Sequence, residues 1–144
     1  MNENIRENLR FFKNISDEEI WNVLKRLNLH VKIQNLKDGL DTKLRLEDLP
    51  FSQGEKQLFI LAQAILKKPK LVLCDEATSY LDIKAEHHFM DKLKSFFPNA
   101  TIIMIAHRLK TLQFVDEIFV LDSGKLKKTI YNNEKRMITK EELL

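Results

Sequence analysis

Two stretches of the chain carry apolar residues at helical spacing behind a polar start. In the first, Ser16 and Glu19 have the spacing of a capping box, in which each side chain satisfies the other's backbone amide, and an apolar stripe follows. This pattern predicts a helix over residues 17–28. Ser52 and Glu55 repeat the spacing ahead of a segment that is apolar over most of a helical circumference, which predicts a second, largely buried helix.

Later apolar runs are continuous and short. Residues 70–76 and 101–107 read as buried strands, with an amphipathic helix over residues 83–97 between them. Continuous runs of this kind are typical of a parallel sheet covered on both faces. Residues 117–130 predict a hairpin around Asp122, Ser123 and Gly124, and the segment from Tyr131 onward predicts a solvated helix. The expected fold class is therefore α/β.

Composition excludes several classes of protein. The 144 residues hold 24 Lys and Arg against 21 Asp and Glu, and this balance of scattered charges argues against a nucleic-acid partner. Cys74 is the single cysteine, so no intrachain disulfide can form and a reducing compartment is favoured. Since no apolar stretch approaches the roughly 20 residues that span a bilayer, and the start lacks signal-peptide features, the chain itself is expected to be soluble.

Polar side chains follow both predicted strands at their carboxyl ends. Asp75 and Glu76 follow the first strand, and His107 ends the second. In open parallel sheets, ligands bind outside the carboxyl ends of the strands, so the three groups are expected on one rim. Taken singly, the acids could begin a turn and the imidazole could be a satisfied strand-end histidine. The run ATSYLD directly after the acids favours a site.

Three of these segments together resemble the ATP-binding-cassette (ABC) ATPases. LVLCDEATSYLD is similar to their Walker B strand and D-loop, IIMIAHRL to their H-loop strand, and FSQGEKQ to their signature motif, which is usually LSGGQ. NIRENL resembles the segment after the Q-loop in exporter-type cassettes, GLDTKL the stretch before the signature, and VDEIFVLDSGKL the hairpin after the H-loop. The resemblance covers roughly residues 4–128 and keeps the family's order of motifs.

The resemblance implies a P-loop NTPase-type α/β core with a parallel sheet and a helical subdomain. By that resemblance, Asp75 would hold Mg²⁺ through water, and Glu76 would be the general base that polarises the attacking water. His107 would contact the γ-phosphate of ATP and help to fix that water. Ser79 and Asp82 would belong to a D-loop that reaches towards a partner cassette.

The signature-like tetrad would serve a nucleotide held by the opposite cassette. A helix N-terminus offers unpaired N–H groups and a partial positive charge, to which Ser52 adds a hydroxyl and Gly54 a close backbone approach, and this suits a phosphate. The tetrad also contains Gln53 and Glu55. Because capping boxes also begin helices that bind nothing, this interpretation depends on the other motifs.

Four positions depart from the family pattern. Gln53 stands where a small residue is common, Glu55 replaces Gln, Leu58 occupies a place often held by Arg, and Tyr80 replaces a small D-loop residue. A carboxylate at position 55 would repel a phosphate unless it turned into the capping box, which is the role we expect. Glu55→Gln should then leave nucleotide affinity nearly unchanged.

No phosphate-binding loop of the form G-x-x-x-x-G-K-[ST] occurs in the printed sequence. The family's base-stacking aromatic residue and Q-loop are expected before Met1. The chain is thus expected to be the C-terminal part of a cassette, and alone to bind ATP weakly or not at all and to hydrolyse none appreciably. The expected parts are a helical subdomain with the signature helix (about 5–66), a Walker B to H-loop core (67–130) and a tail (131–144).

The sequence thus predicts part of the ATPase domain of a membrane transporter. Its expected partners are a second nucleotide-binding domain, as homo- or heterodimer, and a transmembrane domain that the chain would meet at the cytoplasmic face. The alternative is a non-transport ABC ATPase, in DNA repair or translation, or a truncated regulatory protein that lends its signature helix to another cassette. The NIRENL segment and the lack of long heptad arms favour the transporter. The substrate and the direction of transport stay open.

Overall fold

The computed structural model describes residues 4–11, 13–43, 48–106 and 108–144. The chain alternates helices and strands in its second half, as the α/β prediction requires. The elements are α1 (Ile5–Arg10), α2 (Asp17–Arg26), α3 (His30–Gln34), α4 (Gln53–Lys67), β1 (Leu71–Asp75), α5 (Ile83–Phe96), β2 (Thr101–Ile105), β3 (Glu117–Asp122), β4 (Lys125–Tyr131) and α6 (Lys140–Leu143).

Both predicted polar helix starts are N-caps, but only one is a full capping box. The Ser16 hydroxyl accepts from the Glu19 amide at 3.2 Å, as predicted. The predicted return bond from the Glu19 carboxylate is wrong, because that carboxylate pairs with the ammonium of Lys68 at 2.6 Å. At the start of α4, both halves of the box between Ser52 and Glu55 are present, so that prediction is confirmed.

The strands form two pairs. β1 and β2 are neighbours joined through α5, the connection expected of a parallel pair. β3 and β4 form the predicted antiparallel hairpin, with a register irregularity between Val120 and Leu121. Ser123 and Gly124 make its turn, both with positive φ (48° and 75°), as a two-residue hairpin turn of type I′ requires.

The expectation that β1 and β2 are covered on both faces is wrong for β1. Its residues alternate in burial: Val72 and Cys74 are buried, whereas Leu71 and Leu73 are 50% and 70% exposed. The continuous apolar run gives β1 two apolar faces, but the described residues bury only one of them. β2 shows the same pattern in weaker form, with Ile103 and Ile105 exposed.

The chain divides into two compact units. The first comprises the residues up to Leu73 together with Tyr80–Ile103, and α4 packs there against α1, α2 and α5. Its core is built from the apolar stripes of these helices, and its fully buried side chains include Ile5, Leu9, Ile20, Leu24, Leu27, Leu29, Ile33, Met90 and Leu93. The amphipathic helices thus form as predicted because each buries one stripe against α4 or its neighbours.

The second unit comprises Cys74–Ser79 with Met104–Leu144, and its C-terminal segment is anchored. The prediction of a solvated helix from residue 131 onward is wrong, since Tyr131 ends β4 and helix α6 covers only Lys140–Leu143. Buried Asn132 donates to the Leu112 carbonyl at 3.0 Å and to the Arg136 carbonyl at 3.1 Å. Buried Ile138 fixes the same segment.

A helix needs about 20 residues to cross the apolar interior of a bilayer. Over the part of the chain that the structure describes, no helix combines the length and the apolar character needed to span a membrane.

Candidate functional site

The N-terminal turn of α4, residues 52–55, is called the α4 tip below. The first turn of any helix leaves backbone N–H groups without an intrahelical acceptor. At the α4 tip, the Ser52 amide donates to the Glu55 carboxylate at 2.8 Å, and the Glu55 amide donates to the Ser52 hydroxyl at 3.2 Å. The amides of Gln53 and Gly54 donate to no acceptor among the described residues. The capping box thus leaves two adjacent donors for a ligand.

The Glu55 carboxylate is held by a lysine from another helix. Lys32 of α3 donates to Glu55 Oε2 at 2.7 Å, and the same oxygen accepts from the Ser52 amide. Burial by itself raises the pKa of Glu55, but the hydrogen bonds from Lys32 and Ser52 outweigh it, and the pKa lies below the ordinary 4.5. Glu55 is therefore ionised at neutral pH and paired, as its capping role requires.

Gly54 brings the α4 tip close to the start of α5. A Cβ built on Gly54 would lie 3.7 Å from Ala85 Cβ and 3.8 Å from Leu81 Cδ2, which is ordinary van der Waals contact. Asp82 is the N-cap of α5, and its carboxylate accepts from the Ala85 amide at 2.9 Å. The two predicted site segments Ser52–Glu55 and Asp82 thus belong to neighbouring helix starts within the first unit.

The predicted acidic pair lies in the second unit, where β1 ends. Asp75 is the last residue of the strand and is exposed, as is Glu76 after it. Glu76 has φ of +47°, a backbone conformation that L-residues seldom adopt. The Ser79 amide donates to the Glu76 carbonyl at 3.0 Å, which closes a tight turn behind the acids. Strained backbone of this kind is concentrated at functional sites.

An arginine that the sequence reasoning missed anchors this turn. Arg108 donates from Nη2 to the Ser79 carbonyl at 2.9 Å, within the second unit. The Ser79 hydroxyl is buried and has no hydrogen-bond partner among the described residues. Arg108 directly follows the predicted H-loop residue, and this position is the only sequence signal that could have suggested its role.

The fit of these residues to Mg²⁺ and a nucleotide phosphate follows from donor chemistry. Exposed Asp75 at a strand end offers the oxygen ligand that Mg²⁺ prefers, and this ion is usually bound by one or two carboxylates together with phosphates and water. At the α4 tip, the Gln53 and Gly54 amides offer two N–H donors at the positive end of a helix of 15 residues, which fits a phosphate. The residues present therefore fit both groups.

Some predictions of site geometry stay predictions. His107 lies outside the described residues, so its expected position on one rim with Asp75 and Glu76 is not tested. The α4 tip and the acidic pair fall in different compact units. Lys32 was missed because no local pattern links it to a residue 23 positions later along the chain.

Comparison with known proteins agrees with the resemblance. The family model described as "ABC transporter" matches residues 1–79. The chain is 41% identical over 123 residues to ATP-binding cassette sub-family C member 4 of Homo sapiens, which covers 85% of the chain and 9% of that protein. It is 44% identical over 111 residues to ABC transporter B family member 24, mitochondrial, of Arabidopsis thaliana, which covers 77% of the chain and 16% of that protein.

A solved structure extends the likeness to the fold. A bacterial Atm1-family ABC exporter with ATP bound superposes with a TM-score of 0.77 and 32% identity, over 93% of this chain and 24% of the exporter chain. The chain thus spans a small part of the length of the relatives it matches. The predicted P-loop-type α/β fold class is confirmed. On this sequence and fold likeness, the chain belongs to the ABC transporter family.

Proposed function

We propose that the chain forms part of the ATP-binding and hydrolysing domain of an ABC transporter, in which ATP hydrolysis drives transport across a membrane. The observation that carries the proposal is the α4 tip. Its capping box satisfies the Ser52 and Glu55 amides and leaves those of Gln53 and Gly54 for an anion. A helix start that served only to begin α4 would need no glycine in its first turn.

The α4 tip would bind the γ-phosphate of an ATP molecule held by a second cassette. The Gln53 and Gly54 amides would donate to the phosphate, and the Ser52 hydroxyl would add a third donor, because it uses only its oxygen to accept from the Glu55 amide. These donors would stabilise charge that grows on the phosphoryl oxygens during transfer.

The acidic pair would act on a nucleotide held by the chain's own cassette. Bound Mg²⁺ would supply charge neutralisation at the phosphates, and Asp75 would hold it. Glu76 would orient and deprotonate the attacking water, since its carboxylate follows directly on the metal ligand. His107 would contact the γ-phosphate through an imidazole nitrogen, and its role rests on the resemblance of IIMIAHRL to the H-loop strand.

Partners follow from the same arrangement. A second nucleotide-binding domain would complete the site at the α4 tip, and the turn formed by Ser79, Tyr80 and Asp82 would contact it. Tyr80 is 82% exposed although Leu81 beside it is buried, so its ring is available to a partner. A transmembrane domain would hold the assembly at the cytoplasmic face of a membrane, where ATP is available.

A segment exchange tests the proposal. The matching segment of the bacterial Atm1-family exporter is replaced by this chain, and Mg²⁺-dependent ATP hydrolysis is measured in detergent or nanodiscs. We expect the exchanged exporter to retain hydrolysis and Glu76→Gln to lower it at least about a hundredfold, in keeping with loss of a general base. Asp91→Asn, a charge change in the middle of α5, serves as the control variant. A folded, ATP-inert exchange protein would contradict the proposal.

The isolated chain supplies a complementary test. Without a phosphate-binding loop, its acidic pair has no anchor for the β- and γ-phosphates, so the purified chain should show no ATP turnover above background. Clear hydrolysis that Glu76→Gln abolishes would show that the chain anchors the nucleotide by other residues.

A further inference from the structure

We propose that Lys32 is a positioning residue of the α4 tip: by pairing with Glu55, it keeps the tip receptive to phosphate although a carboxylate stands in the signature turn. This inference rests on the proposed function of the tip and adds to it a residue from outside the motif. Lys32 lies on α3, which reaches the tip only in the folded first unit.

The contacts fix the carboxylate beside the phosphate donors. Glu55 Oε2 accepts both from the Ser52 amide at 2.8 Å and from Lys32 Nζ at 2.7 Å. The side chain of Glu55 is 26% exposed, and these two contacts hold its carboxylate against the α4 tip. Its negative charge is consequently held one residue from Gly54, at the end of the helix where the phosphate would bind.

Charge balance shows why the lysine matters. A dianionic phosphate at a helix start is attracted by the partial positive charge of the helix, about half an elementary charge. One fixed carboxylate at the same place would cancel that attraction. The ammonium of Lys32 in contact with it returns the local charge of the pair to zero, so the attraction of the Gln53 and Gly54 amides is restored.

The two single substitutions are expected to differ. In Lys32→Met, the carboxylate stays on the Ser52 amide but loses its counter-charge, so phosphate binding weakens. In Glu55→Gln, the amide oxygen can still accept from Ser52, and the released lysine is solvated and no longer fixed at the tip, so phosphate binding changes by less than about twofold. The double variant Lys32→Met, Glu55→Gln has again no net charge at the tip.

The experiment uses the ¹⁵N-labelled chain at low ionic strength. Inorganic phosphate and, separately, ATP are titrated at neutral pH, and the amide shifts of Gln53 and Gly54 give the apparent affinity. The control is Lys68→Met, which removes the same charge from a pair with Glu19 at the other end of α4. A ¹³C titration of the Glu55 carboxyl carbon in each variant reports whether the pairing itself is lost.

We expect Lys32→Met to weaken phosphate binding about three- to fivefold, the upper part of the range for one charge at a helix start, and to raise the Glu55 pKa. The loss should shrink in high salt, and Lys68→Met should have no such effect. The double variant should bind within about twofold of the unmodified chain.

Two results would overturn the inference while the proposed function stands: unchanged phosphate affinity in Lys32→Met, or a double variant as weak as Lys32→Met alone. An equal loss in Lys68→Met would also overturn it, since net charge would then explain the effect. If inorganic phosphate leaves the Gln53 and Gly54 amides of the unmodified chain unshifted, the proposed phosphate contact itself fails.

Discussion

Gly54→Ala should stabilise the chain and yet impair its site. Gly54 lies in the first turn of α4, and among the three glycines the left-handed backbone conformation is found only at the other two, Gly39 and Gly124. A helical position with ordinary backbone angles does not need glycine, so folding alone does not explain the residue. If it is there for close approach of a phosphate, its replacement separates stability from function.

The magnitude follows from the surroundings. Alanine is favoured over glycine in helices by up to about 1 kcal/mol, and a first-turn position gains only part of this. The new methyl group would meet Ala85 at 3.7 Å and Leu81 at 3.8 Å, so it adds contact without overlap. We expect a gain of about 0.3–1 kcal/mol in the free energy of unfolding, and in the segment-exchange exporter a loss of at least about tenfold in ATP hydrolysis.

Urea unfolding followed by fluorescence of the single tryptophan, Trp21 of α2, reports the stability of the first unit. Gly39→Ala is the matched control. It also lies in the first unit, and a methyl group there would meet nothing within 4 Å, but its φ is +53°, so alanine should cost about 1 kcal/mol. A Gly54→Ala chain destabilised as much as Gly39→Ala would refute the reasoning, as would an exchanged exporter of full activity.

Three further predictions concern charge and burial. Glu55→Gln should lower the free energy of unfolding by less than about 1.5 kcal/mol at pH 7. Because the pKa of Glu55 is lowered in the folded chain, this loss of stability should be full above the ordinary pKa of 4.5 and should vanish as the pH falls through the folded-state pKa. Urea unfolding of both chains at several pH values checks this. Arg136 holds the pKa of Glu142 at about 2, so Arg136→Gln should move the ¹³C titration midpoint of Glu142 up towards 4.5, and an unmoved midpoint would exclude the pair. Asn132→Ala should leave two carbonyls without their donor and cost about 2–3 kcal/mol, seen as faster amide exchange over residues 132–138; unchanged exchange would exclude the anchoring role.

Local patterns predicted the elements that local physics decides. The cap at Ser16, the capping box at Ser52 and Glu55, and the hairpin turn at Ser123 all depend on residues within four positions of one another, and all are present. Helical periodicity likewise placed α2, α4 and α5. The short helices α1 and α3 span too few residues for periodicity to set their bounds.

Interactions between distant segments could not be predicted in this way. Glu19 has the spacing for a capping box, but the folded chain brings Lys68 within 2.6 Å of it, and an ion pair replaces the predicted bond. Lys32 reaches Glu55 only because α3 folds beside the α4 tip. Burial of a strand face depends on which elements lie over it, and the composition of β1 could not reveal that Leu73 is exposed.

The candidate site shows the same division. The acids after β1 and the polar start of α4 were predicted from residue types and spacing. The anchoring of Ser79 by Arg108 left only one weak sequence signal, the position of Arg108 directly after His107, because a carbonyl acceptor is present at every residue. The role of Asp82 as N-cap of α5 was predictable in principle from its position before an amphipathic helix.

The most direct test of the account is a structure of the segment-exchange exporter carrying Glu76→Gln and trapped with Mg²⁺ and ATP, determined by cryo-electron microscopy. The account predicts that Asp75 lies at the Mg²⁺ of one nucleotide, and that the Gln53 and Gly54 amides lie within hydrogen-bonding distance of the γ-phosphate held by the opposite cassette. Nucleotide bound with its phosphates away from the α4 tip, or Mg²⁺ held without Asp75, would contradict it.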